Sequence, residues 1–393
     1  MSLFINPRVI TLAALASLAP FAIDTYLPAF HILAENLTTT PQLIQQSLTF
    51  YLLPYTVMLL FHGPISDGIG RIKTMQWGLS LFFLASIGCA FSTTVEALWF
   101  FRALQGIGGG AGSVVARAMV RDLYQGAEAQ RVMATVQILF GIAPAIAPMI
   151  GGLLLGFNWQ SIFIFLAFYA AVSIFIGSKI LPETIKSNMR VPFTFKGIVE
   201  KYRLLLANKE YMFLVFSISA NFSAFFIYVL ASPVFLIDHL NFTSDQFGYL
   251  FIPTVTGMMI GSLIAKKTAG VVSSSLVLRF SYYWMFFISL SNLIFCNFMP
   301  NNALFNIGFI AFYNIGMASA MPIISLAGLD CFPKIRGTAA SGQAFMQMFF
   351  ASVVAGLLVP LLWFSPLGLS IGLFILLSMG FFVISKTILW KSK

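Results

Sequence analysis

Twelve apolar stretches, each close to the length of a membrane-spanning helix, constrain the fold of this 393-residue sequence more than any other feature. An α-helix needs roughly 20 apolar residues to cross about 30 Å of hydrocarbon. The chain is 59% hydrophobic and 9% charged, so it cannot cover a water-facing surface of ordinary charge density. The sequence therefore predicts an all-α membrane protein with twelve transmembrane helices at 8–30, 42–62, 74–92, 96–117, 131–155, 159–181, 211–236, 246–266, 276–298, 302–326, 338–361 and 366–386.

The basic residues orient these predicted spans. Of the 22 Lys and Arg residues, 21 lie beside one alternating set of span ends, and the loops on the opposite side contain none. Because Lys and Arg near short loops are retained on the cytoplasmic side, both termini are predicted to be cytoplasmic. The net charge of +10 is then explained by topology and by attraction to anionic lipid headgroups, and nucleic-acid binding is not expected.

A polar insertion at 182–209 divides the spans into six and six. It predicts an N-terminal six-helix half at 1–181, a cytoplasmic linker at 182–209 and a C-terminal six-helix half at 210–393. Within the linker, 195–206 mixes apolar and basic residues, which predicts a helix at the cytoplasmic membrane interface. Two such halves indicate repeat architecture, with a substrate site between the halves near the middle of the membrane.

Cleavage of a signal peptide, a resident cofactor and enzyme chemistry are not expected. The first apolar stretch is longer than the apolar region of a signal peptide and contains an aspartate, so it is predicted to be retained as the first span. The three cysteines are scattered, which predicts neither a disulfide framework nor a metal site. We find no nucleophile elbow and no phosphate-binding glycine loop, so an ion gradient is the expected energy source.

Two ionisable residues lie deep in the predicted spans: Asp24 in the first and Arg102 in the fourth. A charge at this depth costs roughly 2.5 to 3.5 kcal/mol on insertion scales, so a lipid-facing position is not expected. A helical rise of about 1.5 Å per residue places the two at nearly the same level. We predict a buried ion pair, or a pair separated by water and substrate. Pro28, four residues after Asp24, predicts a kink beside the acid.

This pair has two interpretations. It could be a salt bridge that only fixes helix packing, or a proton-coupling site. We favour the second, because the protonation of a carboxyl group depends on its access to water and its distance from a cation.

Further candidate functional residues occur in short motifs at the predicted cytoplasmic side and in the fourth and fifth spans. The loop 63–73 is predicted to turn at the membrane face, with Asp67 and Arg71 paired at i,i+4 and Asp122 following the fourth span. A contact from Asp67 to the start of span eleven, near 337–338, is a further expectation. Glycines follow Arg102 in span four, and glycines and prolines recur in span five, where helix packing is the simplest explanation.

These segments together resemble the major facilitator superfamily, and within it the bicyclomycin and chloramphenicol resistance (Bcr/CflA) family of twelve-span drug:proton antiporters. All the motifs that carry the likeness lie between residues 20 and 152. They are Asp24-Thr25-Tyr26-Leu27-Pro28-Ala29, Gly63-Pro64-Ile65-Ser66-Asp67 with Gly70-Arg71, Arg102-Ala103-Leu104-Gln105-Gly106, Arg121-Asp122, and Ala143-Pro144 with Ala147-Pro148 and Gly151-Gly152.

The resemblance implies a role for each motif. Asp24 would be the protonatable acid and Arg102 its membrane-embedded partner. The cytoplasmic gate would consist of Gly63, Asp67, Gly70, Arg71 and Asp122, and the antiporter motif of Pro144, Pro148, Gly151 and Gly152. The loop departs from the family in having Gly68 and Ile72 where Arg is usual, which predicts a weaker charge network at the gate.

The function expected on this basis is proton-coupled export of small amphipathic compounds across the bacterial inner membrane by a monomer. Its partners would be the substrate, protons and the lipid bilayer. A dedicated metabolite or siderophore carrier is the alternative within the same fold, and a membrane receptor, scaffold or enzyme is less favoured. The expected cavity walls are Tyr26, Gln105, Asn221, Tyr228, Gln343 and Gln347. Polar residues on such faces fit interhelical hydrogen bonds equally well.

Overall fold

The computed structural model describes residues 6–124, 126–185, 190, 195–268, 271–332 and 335–391. These residues fold into helices and contain no β-strand. The chain forms two compact units, Met1–Thr194 and Phe195–Lys393. Their boundary falls within the predicted linker, of which 186–189 and 191–194 lie outside the described residues.

The first unit contains the six spans of the N-terminal half. Its helices are α1 (Pro7–Asp24), α2 (Phe30–Asn36), α3 (Pro41–Ile69), α4 (Arg71–Ala90), α5 (Val95–Leu123), α6 (Gly126–Leu155) and α7 (Gln160–Ile180). The first span is formed by α1 and α2 together.

The second unit starts with the linker helix and contains the other six spans. Its helices are α8 (Phe195–Ala207), α9 (Lys209–Leu230), α10 (Gly248–Thr268), α11 (Ser274–Phe298), α12 (Ala303–Asp330), α13 (Arg336–Val353), α14 (Val359–Leu362), α15 (Pro366–Ile384) and α16 (Ile388–Lys391). The predicted linker helix is thus present as α8, where Leu205 is buried and Val199, Leu204 and Leu206 are exposed.

Within the part of the chain that the structure describes, eight helical segments are long and apolar enough to cross a membrane, judged by length and composition. They are Pro7–Asn36, Pro41–Ile69, Gln160–Ile180, Lys209–Leu230, Gly248–Thr268, Ala303–Asp330, Thr338–Leu362 and Pro366–Ile384. The other four predicted spans correspond to α4, α5, α6 and α11, each a helix of at least 20 residues. Large apolar side chains such as Leu84, Phe168 and Phe280 point outward, as expected for helices surrounded by lipid.

The two units pack their spans on one plan. In the first unit, α5 packs against α1, α3 and α4, while α4 contacts α7 and α1 contacts α6. In the second unit, α12 packs against α9, α10 and α11, while α11 contacts α15 and α9 contacts α13. Each pair in the second unit lies six spans after its counterpart in the first. The internal packing of both units is therefore that of a repeat.

Glycines allow the closest helix contacts in both units. A Cβ added at Gly106 of α5 would lie 2.2 Å from the Tyr51 carbonyl oxygen, and one at Gly257 of α10 would lie 2.1 Å from that of Ala311. Either distance is impossible for a side chain, so the two backbones can touch only at glycine. The structure thus bears out helix packing as a role of the span-four glycines.

The first span of each unit is interrupted beside a proline. In the first unit α1 ends at Asp24, a 3₁₀ turn follows at Leu27–Ala29, and α2 then resumes. In the second unit α9 ends at Leu230, Pro233 follows, and a π-helical turn occupies Val234–His239. The interruption predicted beside Pro28 is therefore present, and it coincides with the acid.

Candidate proton-coupling site and cytoplasmic gate

Asp24 is the last residue of α1, and its side chain is buried at the interruption of the first span. The following residue, Thr25, returns to the helix by donating its hydroxyl to the Phe21 carbonyl oxygen (2.5 Å). The backbone of α6 rests directly on this break, because a Cβ at Gly151 would lie 2.1 Å from the Thr25 carbonyl oxygen. A glycine of the span-five motif thus contacts the segment that carries the acid.

Arg102 is completely buried in α5 and binds groups other than the Asp24 carboxylate. Its Nη1 donates to the Ala22 carbonyl oxygen (3.0 Å) and to Gln105 Oε1 (2.8 Å). No salt bridge joins it to Asp24, although the structure describes both residues. The predicted direct ion pair is therefore wrong for this conformation, in which the hydrogen bonds of the guanidinium go from Nη1 to a backbone oxygen and an amide oxygen. A pair separated by water and substrate stays a prediction.

Two tyrosine rings enclose the Arg102 guanidinium. Its central carbon lies 4.8 Å from the ring centroid of Tyr26 and 4.6 Å from that of Tyr51. Aromatic faces attract a cation, which partly compensates for burying it. The Tyr26 hydroxyl hydrogen-bonds to Ser47 Oγ (2.9 Å), which fixes one ring.

Gln105 continues the polar chain behind the arginine. Its Oε1 accepts from Arg102, and its Nε2 donates to Ser86 Oγ (2.7 Å) on α4. Arg102 Nε and Nη2, by contrast, have no hydrogen-bond partner among the described residues. Tyr26 and Gln105, both predicted to line a cavity, therefore hold Arg102 in place in this structure. Whether they also line a substrate path stays a prediction.

The predicted gate residues meet at Arg71, the first residue of α4. Arg71 Nη1 binds Asp67 Oδ1 (2.6 Å), and Nε binds Asp122 Oδ2 (3.0 Å). Ser66 Oγ accepts from the same Nη1. One arginine thus joins the end of α3 to the end of α5.

The two glycines of the predicted gate have different roles. Helix α3 continues through Gly63 and Pro64 to Ile69, so the turn predicted within 63–73 is present but begins later than the start of that loop. Backbone groups near the hydrocarbon are costly to leave unpaired, which favours continuing the helix. The chain turns at Gly70 alone, where φ is +106°, a conformation that favours glycine. A Cβ at Gly63 would meet no atom within 4 Å, so close packing does not explain that glycine.

Glu183 and Thr184 complete the gate network, and the sequence interpretation missed both. They follow α7, at the start of the linker. Glu183 accepts from the backbone N–H groups of Arg71 (3.0 Å) and Ile72 (3.2 Å), and Thr184 Oγ1 donates to Asp122 Oδ2 (2.6 Å). An isolated acid in a basic cytoplasmic segment was the available signal.

The span-five motif lies on one continuous helix. Pro144 and Pro148 are inside α6, and Pro148 is buried. Gly151 is buried against Thr25, as described above, and Gly152 is half-buried. The structure thus places the motif against the interrupted first span, which supports close packing there.

The expected cavity residues of the second unit take part in interhelical hydrogen bonds. Asn221 Nδ2 donates to the Tyr282 hydroxyl (2.7 Å), and Asn292 Nδ2 donates to the Tyr228 hydroxyl (2.9 Å). Gln343 Nε2 donates to the Ser325 carbonyl oxygen (3.1 Å), whereas Gln347 is half-buried on α13. Interhelical hydrogen bonds are thus formed by Asn221, Tyr228 and Gln343. Their role as cavity walls stays a prediction.

An Asp67→Asn protein should pass through its transport cycle more slowly, by up to about fivefold, with substrate binding little changed. Its ion pair is half-exposed, so its loss is expected to cost about 1 kcal/mol at most, which corresponds to that factor. Asp67 lies near the end of α3 that the charge pattern predicts to be cytoplasmic, about 20 Å from the level of Asp24 by helix rise. Pre-steady-state transport and equilibrium binding in proteoliposomes check this. Weakened binding with an unchanged rate of interconversion would contradict the gate assignment.

The chain has two helical units that pack their spans in the same way, and the first unit contains a buried acid and a buried arginine. These features characterise a multi-pass membrane transporter. The chain belongs to the Major Facilitator Superfamily, whose family model matches residues 12–356.

Relatives and a solved structure agree with this membership. The chain is 28% identical to a bicyclomycin resistance protein homolog of Haemophilus influenzae, over 85% of this chain and 84% of that protein. It is 26% identical to multidrug resistance protein D of Escherichia coli, over 88% and 86%. Its fold matches the crystal structure of a D-xylose-proton symporter with a TM-score of 0.71 at 15% identity, covering 98% of this chain and 97% of that one. The resemblance to drug-resistance transporters drawn from the motifs is thereby confirmed.

Proposed function

We propose that this chain is a proton-coupled antiporter that exports small amphipathic compounds across the bacterial inner membrane, with both termini in the cytoplasm. The observation that carries the proposal is the Asp24 carboxyl group, buried at the break of the first span and in no salt bridge with Arg102. A carboxyl group held in this way can gain or lose a proton without first breaking an ion pair. The names of the two relatives above support drug-like compounds as cargo.

The surroundings of Asp24 suggest how proton binding could reach the rest of the first unit. Asp24 ends α1, and the next residue touches the backbone of α6 at Gly151. Arg102 binds the carbonyl oxygen of Ala22, two residues before Asp24. A change in the charge of Asp24 would therefore act on α1, α5 and α6 together. Alternating access would follow from the motion of these spans.

The proposal is tested with purified protein in proteoliposomes that have an acidic lumen. Chloramphenicol serves as a neutral probe and ethidium as a cationic one. We expect uptake against the probe gradient that collapses when a protonophore dissipates the pH difference. No gradient-driven uptake of any probe, in vesicles where the protein is folded, would contradict the proposal.

A dedicated carrier of one metabolite or siderophore is the second candidate. The tyrosine and amide network of Asn221, Tyr282, Tyr228 and Asn292 is the feature that favours it, because directed hydrogen bonds can select one polar compound. A protection screen in cells that lack their own efflux pumps separates the two. Protection against several unrelated amphipathic compounds supports the drug exporter, whereas transport of one metabolite alone supports the dedicated carrier.

One proton should be exchanged in each cycle. Among the described residues Asp24 is the only buried carboxyl group, and no carboxyl residue lies at the matching position before Pro233, which is Val229. Export of neutral chloramphenicol should therefore move net charge and respond to voltage at roughly 2.3 kcal/mol per 100 mV. Export of monovalent ethidium should be electroneutral. Reversal potentials, with the pH difference and voltage varied separately, check this, and a two-proton stoichiometry would contradict it.

A further inference from the structure

The start of α4 is capped by a residue from a distant part of the chain. The first N–H groups of a helix have no partner within the helix and are usually satisfied by a nearby side chain. Here the preceding residue is Gly70, which has no side chain to do so. Glu183, 112 residues away, supplies both oxygens instead: Oε1 accepts from Arg71 N and Oε2 from Ile72 N. A carboxylate also interacts favourably with a helix N-terminus.

Gly70 leaves the space that this carboxylate occupies. A Cβ at position 70 would lie 2.5 Å from Glu183 Oε2, so any larger residue would displace the cap. The positive φ of Gly70 turns the chain sharply between α3 and α4. Gly70 thus leaves the space that the carboxylate needs, and Glu183 supplies the oxygens that accept from the backbone.

The next residue along the chain reaches the opposite side of the same arginine. Thr184 Oγ1 donates to Asp122 Oδ2, the oxygen that also accepts from Arg71 Nε. The residue pair 183–184 therefore holds the backbone of Arg71 and one of its two carboxylate partners. Ile72 stands where the family usually has Arg. Its backbone N–H donates to Glu183 Oε2.

We propose that Glu183 is a positioning residue of the cytoplasmic gate, which places Arg71 for its ion pairs and ties the gate to the start of the linker. The inference rests on the proposed function, in which Asp67, Arg71 and Asp122 form that gate. Glu183 lies three residues after the end of α7, so a movement of α7 or of the linker is transmitted to α4 through this cap. Thr184 transmits the same movement to α5 through Asp122.

The first test is a Glu183→Gln protein. Glutamine has the same size, but its amide nitrogen cannot accept a hydrogen bond, so one of the two backbone N–H groups loses its partner. We expect the maximal transport rate to fall about two- to tenfold, as for the loss of one ordinary intramolecular hydrogen bond, with the KM unchanged. The backbone amide that loses its partner, that of Arg71 or that of Ile72, should exchange hydrogen for deuterium about tenfold faster. Glu200→Gln, an exposed glutamate on α8, is the matched control and should change neither quantity.

Variants of Thr184 and a double variant of Glu183 and Asp67 test the same proposal further. Thr184→Ser keeps the hydroxyl and should retain the wild-type rate, whereas Thr184→Val should slow transport. If Glu183 acts by placing Arg71, the loss in a protein that carries both Glu183→Gln and Asp67→Asn should be smaller than the product of the two single losses, because both changes weaken the Arg71–Asp67 ion pair. A merely structural role would instead multiply the two losses.

The outcomes separate this inference from the proposed function. A wild-type protein with no proton-driven transport contradicts the proposed function, and amide exchange then still tests whether Glu183 caps α4. Wild-type transport with an unchanged rate in Glu183→Gln overturns the positioning role, as does unchanged exchange at Arg71 and Ile72. Full multiplication of the losses in the double variant also overturns it.

Discussion

An Asp24→Asn protein is expected to fold and to lose all uphill transport. Asparagine fills nearly the same volume, and no salt bridge to Arg102 is lost, because Asp24 forms none with it. The amide cannot exchange a proton, so the driving force of one coupled proton disappears. That force is about 2.3 kcal/mol per 100 mV, which corresponds to an accumulation ratio of about 40-fold. The ratio of chloramphenicol across the proteoliposome membrane measures this loss.

The matched control is Glu35→Gln, an exposed acid on α2 at the outer part of the same span. It should retain wild-type accumulation. Downhill exchange of labelled for unlabelled probe should continue in Asp24→Asn, because exchange does not require a net proton flux. Undiminished uphill transport by Asp24→Asn would remove this residue from the coupling role.

Arg102→Ala is expected to inactivate transport more completely than Arg102→Lys. Alanine leaves the Ala22 carbonyl oxygen and Gln105 Oε1 buried without their donor, at a cost of about 1 to 3 kcal/mol each, and empties the space between Tyr26 and Tyr51. Lysine keeps a cation between the rings but lacks the planar guanidinium fork, which holds Nη1 in a fixed position for both acceptors. We therefore expect no measurable transport for alanine and a partial rate for lysine.

Thermal unfolding of the purified variants must accompany these rates, since alanine also removes packing. The control pair is Arg117→Ala and Arg117→Lys, on the exposed side of the same helix, which should differ little from each other. Equal transport rates in wild type, Arg102→Lys and Arg102→Ala would show that the buried cation is not needed for transport. If alanine unfolds the protein, the lysine variant carries the test alone, and a wild-type rate in it would contradict a role for the guanidinium fork.

The sequence predicted the elements that depend on one segment at a time. Each of the twelve apolar stretches is helical over most of its length, because the need to pair every backbone group in hydrocarbon acts on each span separately. The Asp67–Arg71 pair was predicted from its i,i+4 spacing and is present, although the two residues lie on successive helices that Gly70 separates. The break beside Pro28 follows from the missing N–H of one proline.

The partners of the buried polar groups were not predictable in the same way. Equal depth suggested that Asp24 and Arg102 would form a salt bridge, yet Arg102 binds the Ala22 carbonyl oxygen and lies between two tyrosines. Depth along the membrane normal is set by sequence position, but the rotation of each helix about its axis is not. That rotation depends on the packing of α5 against α1, α3 and α4 through its glycines.

The sequence by itself thus determined the number of spans, their expected orientation and the presence of an acid and an arginine within them, since hydropathy, charge and proline act locally. Only the tertiary structure decided which groups meet. Glu183 reaches the start of α4 from 112 residues away, and Asn221 reaches Tyr282 on another span. Such contacts form where several helices have fixed one another's rotation and height, and no single segment contains that information.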